Sequence, residues 1–210
     1  MNNNPSPPFV GVRILENRTP TGRRTGTPAK RAALYFAFGR DKAAELEGRQ
    51  RGEWLGSDGR VQTHEAVMAW ARQEALRHRY TFEALLSVPQ GDLSPKAFCQ
   101  AMQQGGQIAD WRLIAHQDTD YRHAHVLFFR DRRIEKQAFL SWQTAVRTEL
   151  AGLEQQQLAD RAARQEAALE RGQERSKGLD LNGSTQVSGL TQVSGSTQVR
   201  LSKGWEVGFG

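Results

Sequence analysis

Residues 115–129 read AHQDTDYRHAHVLFF and carry three of the chain's five histidines, His116, His123 and His125, on two apolar runs joined by a short polar turn. Trp111 to Ala115 and Val126 to Phe129 are rich in strand formers, whereas Asp118 to Arg122 has the composition of a hairpin connection. The segment therefore reads as a β-hairpin. Side chains alternate faces along a strand, so His123 and His125 point the same way and the hairpin returns His116 to that face. Three imidazoles converging on one point are a metal site in outline.

A single histidine on an apolar strand is usually a hydrogen-bonded core residue; the conjunction of three carries the argument here. A structural zinc site is closed by four Cys or His ligands, and the chain has one cysteine, Cys99, far from the cluster in sequence. Three histidines with open coordination positions suit catalysis instead. Asp118 is placed to act as a carboxylate behind metal-bound histidine, fixing a ring tautomer. Asp120 reads as an ordinary turn residue. By intrinsic affinity, imidazole donors favour zinc, copper or nickel over magnesium or manganese.

At 210 residues the chain holds one domain plus extensions, divided as a folded domain over 1–150, a helical extension over 151–178 and a low-complexity flexible tail over 179–210. One cysteine rules out an internal disulfide framework. No apolar run approaches the roughly 18 residues that cross a bilayer. The opening MNNNPSPPFV lacks the charged and apolar regions of a signal peptide. A cytoplasmic protein without membrane insertion is the expectation. All of the formal net charge of +6 lies within residues 1–80. A basic section beside a metal site suggests a polyanionic partner, nucleic acid first and anionic lipid second.

Phe9 to Leu15 alternates as a short strand, and Arg18 to Lys30 follows as a Thr, Gly and Arg rich loop. Arg23, Arg24, Lys30 and Arg31 read as mobile cations suited to phosphate contacts. Thr27 as cap with Pro28 in the first turn begins a largely buried helix that Gly39 ends after Phe38. Lys42 to Gln50 is a second short helix, and Gly52 to Gly59 a turn-rich connection. Thr63 caps an amphipathic helix to His78 that buries Val67, Met68, Ala71 and either Ala75 or Leu76. Tyr80 to Val88 is a strand. Ser94 and Pro95 open a helix to Gln103 that Gly105 and Gly106 end. From Ile134 a long helix places Ala138, Trp142, Val146, Leu150 and Leu153 on one face, and beyond Leu158 it turns polar, projecting into solvent or meeting a partner. Thr185, Thr191 and Thr197 each open a T-Q-V in a repeat too short and too polar for a solenoid core.

The string HQDTDYRHAHV, His116 to Val126, resembles the third motif of the relaxases, the mobilisation endonucleases of plasmids and integrative elements within the HUH endonuclease superfamily. It matches in the first histidine, the Asp-Thr pair, the H-x-H and the apolar strand behind it. Upstream, RAALYFAFGR resembles the first motif, which places a tyrosine in an N-terminal helix, and YTFEALLSVPQGDLSPKAF looks like the central strand and following helix. The resemblance extends over about Phe9 to Leu150. It implies a tyrosine that attacks a DNA phosphodiester and becomes joined to the 5′ phosphate, with Tyr35 as nucleophile. His116, His123 and His125 would hold a magnesium or manganese ion. It also implies single-stranded DNA at a transfer origin as substrate, with relaxosome accessory proteins and a coupling protein as partners. Of the other tyrosines, Tyr80 reads as packing at a strand start, and Tyr121 sits at the hairpin tip, where it would stack on a base. No general base stands out.

The expected fold is α+β: an antiparallel sheet with packed helices, a histidine-bearing central hairpin and a long C-terminal helix. Two other functions compete. A cupin-like oxygenase or small hydrolase also uses three histidines, but cupins follow H-x-H closely with a Glu and later another His, whereas here Glu135 is the next Glu and no histidine follows His125. A non-catalytic DNA-binding mobilisation accessory protein would leave the histidines structural. The chain is also short for a relaxase and lacks room for a helicase or primase domain.

Overall fold

Apolar alternation and capping signals resolve, in the computed structural model, into eleven elements among the described residues: β1 (Phe9–Glu16), α1 (Thr27–Phe38), α2 (Lys42–Glu47), β2 (Trp54–Gly56), β3 (Val61–Gln62), α3 (His64–Arg77), β4 (Tyr80–Ser87), α4 (Pro95–Gly105), β5 (Trp111–His116), β6 (His123–Arg130) and α5 (Lys136–Asn182). The structure describes residues 6–116 and 122–182. It comprises two units, Met1–Gln165 and Glu166–Gly210. All the strands among the described residues belong to the first; the described side chains of the second, through Glu174, are largely exposed. The T-Q-V repeats and Asp118, Asp120 and Tyr121 lie outside the described residues.

The fold is α+β. Six strands form one antiparallel sheet in the order β1-β4-β6-β5-β2-β3, so the histidine-bearing strands β5 and β6 occupy its middle. Period-two alternation divides their residues between two cores. Phe82, Leu86, Leu113, Val126 and Phe128 face α4 and α5, where Phe98, Met102, Trp142, Val146 and Leu150 complete the larger cluster. Trp54, Ile114 and Leu127 face the other way, against Ala33, Phe36 and Ala37 of α1 and Val67, Ala71 and Ala75 of α3. Burying each large apolar side chain is worth about 1.5–3 kcal/mol. The alanines matter for a different reason: with almost no side chain, they let α1 and α3 lie close to the sheet.

Helix boundaries follow local chemistry. Thr63 Oγ1 accepts from Ala66 N at the start of α3, and Ser94 Oγ from Ala97 N at the start of α4. Asp41 caps α2 by accepting from Ala43 N and Ala44 N. That helix ends at Glu47 rather than Gln50, because Gly48 takes the left-handed conformation at φ 69°.

Several expectations need correction. Thr27 is the first residue of α1 and not its cap; Gly26 holds that position with no side-chain cap bond. The segment read as a plain connection forms the hairpin of β2 and β3, whose three and two residues are too few to show a period. Leu76 is 47% exposed, so Ala75 takes the core position on α3. The basic loop is tied down. Thr25 N donates to Asn17 O and Arg23 N to Thr19 Oγ1, while the buried Asn17 accepts from Thr81 Oγ1 and donates to His78 O. Lys30 and Arg31 belong to α1 and not to this loop.

Candidate metal centre and its groove

Antiparallel register sets His116 of β5 opposite His123 of β6, and Ile114 opposite His125. All three imidazoles thus leave the sheet on the face covered by α1. Ring centroids are 4.8 Å apart for His116 and His123, 4.8 Å for His116 and His125, and 5.2 Å for His123 and His125. One nitrogen from each lies within 4.8 Å of the other two. His116 is buried, and its Nε2 lies 2.6 Å from the main-chain oxygen of Phe36. A carbonyl only accepts, so Nε2 carries the proton and Nδ1 presents its lone pair. That Nδ1 lies 3.0 Å from His123 Nε2. Two imidazole nitrogens sharing one ion at ~2.0–2.1 Å stand about 3.0–3.4 Å apart, so this spacing suits a divalent cation.

His125 stacks on the Phe36 ring at 4.3 Å between centroids. Burial, with smaller contributions from His116, His123 and Arg51, pushes its pKa down to about 3. It is therefore neutral near pH 7, the ligating form. The donor set fits a metal ion, with the Phe36 carbonyl orienting the first ligand as such outer partners do in metal sites.

Tyr35 precedes Phe36 on α1. The residue is 48% exposed, and its ring lies 6.4 Å from that of His125, edge-on at 76°. Tyr35, Arg31 and His125 line a groove of about 650 Å³, with Arg13 and Glu83 on the strands across from them. Burial raises the Glu83 pKa against the opposing charge of Arg13, 3.9 Å away. Arg23, Arg24 and Lys30 do not join this groove. They line a second cleft beside α3. Tyr80 is buried in the larger core under α4 and α5, away from the histidines.

Two residues of the site escaped sequence reasoning. Glu83 is the one acidic residue in the strand YTFEALLS, a detectable break in its pattern. Arg51 lies in a connection with no periodicity, and only the fold brings its charge near His125.

The chain matches no family model, no curated protein and no solved structure. Fold and cluster carry the functional argument. Among the described residues, no helix is long and apolar enough to cross a membrane.

Proposed function

We propose that this chain is a relaxase-type DNA transesterase that nicks and rejoins one strand at a transfer origin, with Tyr35 as nucleophile and a divalent ion on His116, His123 and His125. The observation that carries this reading is the pairing of functions on one turn of α1: Phe36 orients His116 and stacks on His125, while the neighbouring Tyr35 presents its ring to the same groove.

In the step proposed, the Tyr35 oxygen forms a bond to phosphorus and the bond to the 3′ oxygen breaks. The 5′ phosphate remains on the tyrosine, and the departing 3′ oxygen takes up a proton. One phosphodiester replaces another, so the reverse reaction reseals the strand. A phenol with an ordinary pKa of about 10 needs a proton acceptor. Glu83 is the only carboxylate lining the groove among the described residues, and its partial burial favours holding that proton. Arg31 supplies positive charge for the phosphate. A divalent ion would add Lewis-acid stabilisation of a phosphoryl oxygen; the resemblance implies magnesium or manganese, although imidazole donors by themselves favour zinc, copper or nickel. Asp118 keeps the supporting role implied for it, and relaxosome accessory proteins and a coupling protein are the proposed partners.

The test is incubation of the full chain with labelled single-stranded DNA from its native mobile element and Mn²⁺, followed by denaturing electrophoresis. A covalent adduct, absent in Tyr35→Phe and much reduced in His125→Ala, supports the reading. Adduct that persists in Tyr35→Phe overturns the assignment.

A further inference from the structure

The cleft on the other side of α1 has a chemistry of its own. Arg23 and Arg24 reach it from the β1–α1 loop, Lys30 from α1 and Arg72 from α3, around about 660 Å³ of space. No carboxylate lines it among the described residues, and none of these four cations forms an ion pair there. Arg24 Nη1 is buried with no hydrogen-bond partner. Four unneutralised cations around one concavity repel each other, an arrangement that a bound polyanion relieves.

Part of the lining is apolar. Met68 and the exposed Leu76 line the cleft together with the charges, so it offers both phosphate contacts and a surface for sugars or base faces. It also adjoins the groove of Tyr35, because Thr27 lines both. From this combination we infer that the cleft is a second subsite for single-stranded nucleic acid, holding the backbone of the strand that continues past the start of α1 from the Tyr35 groove. The inference rests on the proposed function only in taking the Tyr35 groove as the place where a phosphodiester lies.

An acidic peptide would satisfy the charges but gains nothing from continuity with the histidine site. A cleft that grips backbone acts on affinity and leaves chemistry alone, and it acts only on strands long enough to reach it.

The experiment uses the full chain, fluorescein-labelled thymidine oligonucleotides of two lengths, and anisotropy titrations over a range of salt without added metal. Lys30→Glu with Arg72→Glu changes two exposed residues outside both cores, and Lys30→Gln with Arg72→Gln provides a milder pair whose fold is checked by circular dichroism. We expect the charge-reversed pair to bind the long oligonucleotide at least tenfold more weakly, with a salt slope shallower by about 1.4 for two lost phosphate contacts. The short oligonucleotide should bind within twofold of wild type. Equal affinity of wild type and both variants for the long strand overturns the inference, as does competition by polyglutamate at the same charge concentration as effective as that by unlabelled oligonucleotide. Loss of long-strand binding in a protein that forms no tyrosine adduct would uphold the cleft and remove the nicking reaction; adduct formation with unaltered binding by the variants would do the reverse.

Discussion

His116 and Phe36 are 80 positions apart in the chain, yet the imidazole Nε2 of the first donates to the main-chain oxygen of the second at 2.6 Å. This bond ties the middle of the sheet to the helix that carries Tyr35. His116 and Tyr35 are consequently parts of one local arrangement, and disturbing either should be felt by the other.

Removal of His116 should therefore cost more than removal of its neighbours. His116→Ala empties a buried site and leaves the Phe36 carbonyl without its partner, a loss of about 2–4 kcal/mol. His123→Ala, at a partly exposed position, should cost less than about 1 kcal/mol. Urea denaturation of the metal-free protein distinguishes these values, and similar costs for the two variants would contradict the arrangement.

Metal binding should require all three rings. Calorimetric titration with Zn²⁺, the stronger-binding probe for imidazole donors, should give one site per chain in the wild type and at least tenfold weaker binding in each of His116→Ala, His123→Ala and His125→Ala. Undiminished stoichiometric binding in the triple variant would place the ion elsewhere.

Acid should weaken the metal-free fold through His125. Its folded pKa of about 3 lies below the unfolded value of 6.5, so between these values the unfolded state takes up the proton more readily. The stability this group preserves is complete above about pH 6.5 and declines as pH falls toward 3, by roughly 1.4 kcal/mol per pH unit. Comparison of urea midpoints at pH 7 and pH 5 should show a smaller drop in His125→Gln than in wild type. Equal drops would mean that His125 is not held neutral by its surroundings.

Gly52 supplies a backbone test of the same region. A Cβ added there would run into the Ala115 carbonyl oxygen, and Ala115 directly precedes His116. Gly52→Ala must push β5 or the arriving chain aside. It should lower stability by about 1–3 kcal/mol and also weaken Zn²⁺ binding. A variant of unchanged stability and metal affinity would show that the close approach is easily relieved.

The legibility of these features in the sequence follows from the strength of their signals. An H-x-H on an apolar run has period two and a short turn before it, so the shared face of His116, His123 and His125 is legible in the sequence alone. The caps at Thr63 and Ser94 are local chemistry and were equally accessible. The hairpin of β2 and β3 was not, because a strand of two residues has no alternation to detect. Nor was the division of the basic residues into two grooves. Lys30 and Arg31 are adjacent in sequence, but neighbouring positions on a helix point about 100° apart, which sends one to the cleft beside α3 and the other toward Tyr35. Arg51, in a connection, enters the site only through the tertiary fold, which no local pattern encodes, whereas Glu83 left one local mark, a lone acid in an apolar strand.

The most direct measurement is identification of the amino acid joined to DNA. Full-length protein is allowed to react with single-stranded origin DNA and Mn²⁺, digested with nuclease and trypsin, and analysed by mass spectrometry. The account predicts a nucleotide linked through its 5′ phosphate to Tyr35 in the peptide AALYFAFGR, residues 32–40. Attachment at Tyr80 or Tyr121, or active nicking that leaves no nucleotide on the protein, would contradict it.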